Sequence, residues 1–182
     1  MTVADTPADL PPVDVAGLIT EPLANGLDPE QFTPRLLALL SNALVWRESH
    51  ELRRRFGLGT NDWRILSALA MRPGASATEV SEFLGVNKAV VSKGVSILNG
   101  RGLIALLDGP RGSRPMYLTG AGARMHNDMM PISLSGQEII HAGLSKAQIR
   151  ELNTLLSQMI DKLRNAPSRD DEPDSSRETA EA

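Results

Sequence analysis

The residues best suited to act on another molecule lie between positions 85 and 124. Six cations stand there (Lys88, Lys93, Arg101, Arg111, Arg114 and Arg124) against one acid, Asp108. Within 88–100, Val91, Val95 and Leu98 recur at i, i+4 and i+7 and form a narrow apolar seam. The opposite face carries Lys88, Ala89, Ser92, Lys93 and Ser96, all short or cationic and none acidic. A helix that enters the major groove of DNA must be slim, must not repel phosphate and must present hydrogen-bond donors. This face meets those demands. The plain alternative is a solvated face that lacks acids by chance.

A second basic group follows. Asp108 to Pro115 is a turn-rich loop with Arg111 and Arg114. Arginines on such a tip suit the narrow minor groove, whose negative potential attracts them; a flexible, soluble loop is the plainer reading. Other chemistries find little support. The chain has no cysteine, which removes disulfides, thiolate nucleophiles and cysteine-ligated zinc. It shows no nucleophile elbow, phosphate-cradling glycine loop or paired carboxylates at a convincing spacing. His126 and His141 stand 15 residues apart without carboxylates at ligand spacing. No enzyme, cofactor or metal is expected, and Asp108 reads as structural.

These residues need a scaffold, and the flanking sequence describes one. Ser76 and Glu79 form a capping box that opens a short helix with Val80 and Leu84 turned inward. Gly85-Val86-Asn87 makes a three-residue turn, and Asn87 caps the helix 88–100. Gly94 inside that helix costs about 1 kcal/mol relative to Ala, which close packing against a neighbouring helix would explain. Gly102 ends the helix. Residues 103–107 and 116–118 read as two strands, and a lone hairpin is marginal, so it should pack on the helices.

Upstream, Thr33-Pro34 reads as a cap and first position of a helix over 34–56 with Leu37, Leu40 and Leu44. Arg53-Arg54-Arg55 near its end reads as a solvated face, and Gly57 and Gly59 stop it. Thr60 is expected to cap a helix over 61–71, with Trp63, Leu66, Leu69 and Ala70 on one face. Downstream, Thr119 opens a Met-rich helix to about 142, which Pro131 should break or kink. Its methionines could line a pliable pocket, but core packing is favoured. Ser145 and Gln148 form another capping box, and the helix 146–164 carries Ile149, Leu152, Leu156, Met159 and Leu163 as a heptad seam.

With 182 residues and 41% hydrophobic content, the chain suffices for one compact domain. Its formal net charge of −3 conceals an uneven distribution. Residues 1–34 carry six acids and no Lys or Arg, and residues 167–182 six acids against two arginines, so 35–166 carries +7. A basic folded part between acidic ends suits a polyanionic partner; acidic ends also serve solubility. No apolar run reaches membrane-spanning length and no signal peptide is evident, so a soluble protein is expected, and the absence of cysteine fits a cytoplasmic one.

The ordered set of segments resembles the MarR family of bacterial transcriptional regulators. The likeness rests on Asn61-Asp62-Trp63-Arg64-Ile65-Leu66, on Pro73 to Val80, on Leu84 to Lys93, on Leu98 with Gly102-Leu103-Ile104, on Leu118 to Gly122, and on Gly143-Leu144-Ser145. It implies a homodimer paired through the first, fifth and sixth helices, with recognition helices in successive major grooves and wings in flanking minor grooves. It places Lys88, Ala89, Ser92 and Lys93 against DNA and Arg111 or Arg114 on the wing. Two departures stand out: Pro110-Arg111-Gly112 replaces the usual Asp followed two residues later by Arg, and Val90 replaces a common small hydroxyl residue. Many relatives release DNA when a small, often aromatic acid binds. Trp46, His50, Trp63 and Arg64 are the candidates for such a pocket.

The expected fold is mainly α (α+β): a winged helix-turn-helix with terminal helices forming a dimerisation region. Residues 1–32 would be an irregular arm, 33–58 a dimerisation helix, 60–119 the winged helix-turn-helix lobe, 120–165 dimerisation helices and 166–182 a disordered acidic tail. The expected function is that of a dimeric repressor on a palindromic operator in double-stranded DNA, released by a small ligand. The alternative is a winged-helix protein-interaction module with only nonspecific DNA affinity.

Overall fold

The computed structural model describes residues 18–19 and 22–167; the acidic segment beyond and most of the N-terminal arm lie outside the described residues. The chain divides inside its first helix into two units, residues 1–43 and 44–182. In the first unit, residues 22–32 form turns. The Asp28 side chain accepts the Glu30 N–H at 2.9 Å, and the Asp28 carbonyl accepts the N–H of Phe32 at 3.0 Å. Helix α1 (Thr33–Phe56) follows. Thr33 is its first helical residue rather than the expected cap, because the Phe32 carbonyl already accepts the Arg35 N–H at 3.0 Å.

The second unit contains the C-terminal half of α1, then α2 (Thr60–Met71), α3 (Ala77–Leu84), α4 (Lys88–Gly100), β1 (Ile104–Leu106), β2 (Met116–Leu118), α5 (Gly120–His141) and α6 (Lys146–Arg164). One core joins them. Leu52, Leu58, Ile65, Leu66, Leu69, Val80, Val91, Leu98, Ile104, Met116 and Met129 are all fully buried in it. Each such side chain contributes about 1.5–3 kcal/mol through burial. Met129 therefore serves the core, as favoured from sequence, with Met125 and Met130 packed partly against it.

Three further expectations need correction. Thr60 does not cap α2. Gly59 holds the cap position, its N–H donating to Asp62 Oδ2 at 2.8 Å, while Thr60 is the first helical residue and its hydroxyl is buried without a partner. The inward face of α2 is Trp63, Ile65, Leu66, Ala68 and Leu69, whereas Ala70 is exposed. That rotation lets α2 pack on both α4 and α5. Pro131 lies inside an unbroken α5. Its ring is exposed, and helical hydrogen bonding resumes around it; Ser135 Oγ donates to the Ile132 carbonyl at 2.7 Å.

The hairpin pairs antiparallel, with Ile104 opposite Leu118 and Leu106 opposite Met116. It is not left alone. The Gly74 N–H donates to the Met116 carbonyl at 2.8 Å and the Met116 N–H to the Ala75 carbonyl at 3.2 Å, so the α2–α3 link is hydrogen-bonded to the start of β2. At the far end, Thr119 accepts the Gly122 N–H at 3.0 Å to cap α5 and donates its own hydroxyl to the Gly102 carbonyl at 2.7 Å. Gly122 is buried against the Leu103 backbone. No helix among the described residues is long and apolar enough to cross a membrane.

A Cβ at 122 would run into the Leu103 carbonyl, whereas one at Gly100 would meet nothing within 4 Å. Gly122→Ala should therefore lower stability by about 1–3 kcal/mol, as overpacking does. Gly100→Ala should be neutral or stabilise by up to about 1 kcal/mol through helix propensity. Urea unfolding of both variants checks the opposite signs.

Candidate nucleic-acid interface and adjoining groove

The presentation of α4 begins with two caps. At the start of α3, the Ser76 N–H donates to Glu79 Oε2 at 2.7 Å and the Glu79 N–H to Ser76 Oγ at 3.3 Å. The Ser76 N–H, with its hydroxyl, holds the Glu79 carboxyl below the usual carboxylate range. At the start of α4, the Ala89 N–H donates to Asn87 Oδ1 at 2.7 Å. Between them Gly85 takes a left-handed conformation, φ 63°, which Gly adopts at no steric cost. Ser81, buried inside the turn, donates to the Val86 carbonyl at 2.6 Å. Sequence reasoning misses Ser81, whose type alone gives no sign of a turn lock.

With the turn fixed, Val91, Val95 and Leu98 are buried and Lys88, Ala89, Ser92, Lys93 and Ser96 are all exposed. The far end of α4 is tied down as well. Arg101 Nη1 donates to the Phe56 carbonyl and Nη2 to the Gly57 carbonyl, each at 2.9 Å. These are terminal carbonyls of α1, where a cation also meets the negative end of the helix dipole. From sequence Arg101 is only a charge, because its partners lie some 45 residues upstream.

The wing is a hairpin closed by the Leu107 N–H to the Pro115 carbonyl at 3.0 Å and the Gly109 N–H to the Ser113 carbonyl at 2.9 Å. Arg111 stands in a single 3₁₀ turn, Pro110–Gly112, and Arg114 is exposed on the returning limb. The two arginines thus occupy different parts of the tip.

A groove of roughly 800 Å³ adjoins this lobe. The four candidates Trp46, His50, Trp63 and Arg64 all line it, together with Arg47, Glu51, Arg55, Ile132, Ile140 and others from α1, α2, α5 and α6. Trp46 is exposed and stacks on His50, with ring centroids 6.0 Å apart. Trp63 is nearly buried and stacks on His126, centroids 4.9 Å apart. Glu51 receives hydrogen bonds from Arg54 and Arg55, both at 2.9 Å. The Arg54 hydrogen bond foremost holds its carboxyl below the usual range. The arginine run is thus a solvated face in part engaged with Glu51. Among the described residues no group of three or more His, Asp or Glu side chains is placed to hold a metal ion.

Residues 56–115 match the sequence model of the MarR family. A search of the curated proteins finds no match. Among solved structures, a MarR/EmrR family transcriptional regulator from Acinetobacter sp. ADP1 aligns at 22% identity with a TM-score of 0.71, over 77% of this chain and 100% of that one. Staphylococcus aureus MepR, solved with DNA, aligns at 16% identity and TM-score 0.66, over 75% and 99%. Streptomyces coelicolor PcaV, solved with its natural ligand, aligns at 21% identity and TM-score 0.65, over 76% and 98%.

The Glu79 cap carries a pH signature. Its depressed folded pKa gives stability that is present above the unfolded value and lost as pH falls through the folded one. Glu79→Gln should therefore lower Tm more at pH 7 than at pH 3, read by thermal melts at both. Residues 56–115 thus match the MarR family's sequence model, and the described chain around them has the fold of the solved MarR-family regulators.

Proposed function

We propose that the chain is a DNA-binding transcriptional regulator, acting as a homodimeric repressor on a near-palindromic operator and released by a small aromatic acid. The observation that carries the reading is the exposed, acid-free face of α4, held rigidly by the Asn87 cap, the Ser81 turn lock and the Arg101 tie. Lys88 and Lys93 contact phosphate, and Ser92 and Ser96 stand at base-edge height with Ala89 giving clearance. The wing arginines enter the flanking minor groove. That MepR was solved with DNA on the same fold supports this.

The dimer follows from α6. No residue of α6 is buried: Ile149, Leu152 and Leu156 of its heptad seam are half-buried, Met159 and Leu163 are exposed, and Leu155 and Ile160 beside the seam are exposed too. A second copy presenting the same stripe covers it, as a two-fold interface requires. Residues 33–58 and 120–165 form the rest of this region, and 60–119 the DNA-binding lobe. Two recognition helices then read half-sites about one helical turn apart.

The groove supplies the release step. Trp46, His50 and Trp63 offer aromatic faces, and Arg64 offers a planar fork that fits a carboxylate. PcaV, solved with its natural ligand, shares the fold.

Lys93→Ala with Arg111→Ala should weaken operator binding, and the slope of log affinity against log salt should fall by about 1 for each phosphate no longer neutralised. Unchanged titrations would remove these residues from the interface, and weak, sequence-independent binding by the parent chain would point instead to a protein-interaction module. The two tryptophans of the chain both line the groove, so an aromatic carboxylate such as benzoate should quench their fluorescence on binding. Arg64→Ala should raise its dissociation constant about tenfold or more, as expected on removing one charge-assisted hydrogen bond.

A further inference from the structure

DNA is not the only polyanion within reach of α4. Residues 170–174, Asp-Asp-Glu-Pro-Asp, hold four acids and no cation, and Glu178 and Glu181 follow. On the lobe, Lys88, Lys93 and Arg114 form no salt bridge with any described residue; the ion pairs among the described residues all centre on Glu51. A shallow cleft is lined by Arg72, Glu79, Glu82 and Phe83 and by Arg164, the last residue of α6, and α3 packs directly on α4. Five residues separate Arg164 from Asp170, and extended they reach about 17 Å. Packed helices such as α3 and α4 lie only about 8–10 Å apart, well inside that reach. Glu79 and Glu82 line the cleft itself and repel the run there, which favours its passing on to the cationic side.

We propose that residues 168–182 dock on the basic face of α4 and the wing, as a tethered anionic occupant that competes with DNA. The proposal rests on the reading of that face as the DNA interface. A tether of this length gives an effective concentration of about 1 mM. With a dissociation constant near the weak end of nonspecific electrostatic binding, about 0.1 mM, occupation lowers DNA affinity about tenfold. Because tail and DNA share one surface, operator and random DNA lose affinity by the same factor. Both effects fade with salt, which screens the tail as it screens phosphate.

The test uses the whole 182-residue chain with Asp170→Asn, Asp171→Asn, Glu172→Gln, Asp174→Asn, Glu178→Gln and Glu181→Gln, none of them among the described residues. At about 50 mM salt it should bind operator and random duplexes about tenfold more tightly than the parent, with the gain vanishing at high salt. In the absence of DNA, the backbone amide shifts of residues 88–96 and 108–116 should differ between the two proteins, and the difference should collapse on adding salt. Equal affinities at low salt would overturn the proposal. So would tighter binding without any shift difference in the lobe, which would mean that net charge merely repels DNA at a distance. A chain with the order of 168–182 scrambled should keep the inhibition, since charge rather than sequence carries it. The shift map is read without DNA, so it stands or falls independently of the DNA-binding reading.

Discussion

Where α4 crosses α2 there is room for a hydrogen atom and little more. A Cβ on Gly94 would run into Ile65 Cδ1 and come within 3.3 Å of Asp62 Oδ1. Glycine at this point costs about 1 kcal/mol in helix propensity. The approach it permits buries Val91 and Leu98 completely, and each of these contributes about 1.5–3 kcal/mol. The balance favours the close crossing, and that crossing decides which face of α4 is left outward. Asp62 belongs to the same arrangement: its Oδ2 caps α2 through the Gly59 N–H while its Oδ1 lies beside the α4 backbone.

The wing depends on a comparable constraint at its base. Leu103 accepts the Thr119 N–H at 3.0 Å, and Gly122 lies against the same carbonyl. Thr119 thereby joins the end of the hairpin to the start of α5 while reaching back to Gly102. On the other side, Gly74 and Ala75 bond to Met116. The base of the hairpin is thus held from both sides.

What the sequence revealed was governed by distance along the chain. The caps at Ser76, Asn87, Thr119 and Ser145 are local, each closed within two or three residues, and each is found where the pattern places it. The α4 seam was equally legible, because three apolar residues at helical spacing define a face by themselves. The orientation of α2 was not: it packs on two neighbours, so its buried arc is wider than one stripe and excludes Ala70. The Arg101 tie and the Trp63–His126 stack join residues 45 and 63 positions apart, and no local pattern announces them. The uninterrupted run through Pro131 shows the same limit, since a propensity is overruled when packing on either side holds the helix. Of the groove, Trp46 and His50 were legible as one turn of a helix, whereas the placing of Trp63 and Arg64 on the same cavity required the fold.

The groove and the α4 face are connected by a single short piece of α2. Trp63 and Arg64 line the groove, while their immediate neighbours Asp62 and Ile65 sit against Gly94. A ligand alters an equilibrium only if it binds two arrangements with different affinity. Here the arrangements would differ in where α2 stands relative to α5, because His126 and Ile132 of α5 meet Trp63 and the groove from the other side. A packed interior does not deform smoothly, so displacing Trp63 displaces Ile65 with it. Ile65 and Asp62 are also the side chains that stand against Gly94, so a shift of α2 there would be felt first by α4. The Arg101 tie opposes that motion, since it fastens the far end of α4 to the carbonyls that end α1. Under the proposed reading the coupling of groove and α4 face is reciprocal: DNA seated on α4 would weaken the ligand by the factor the ligand weakens DNA.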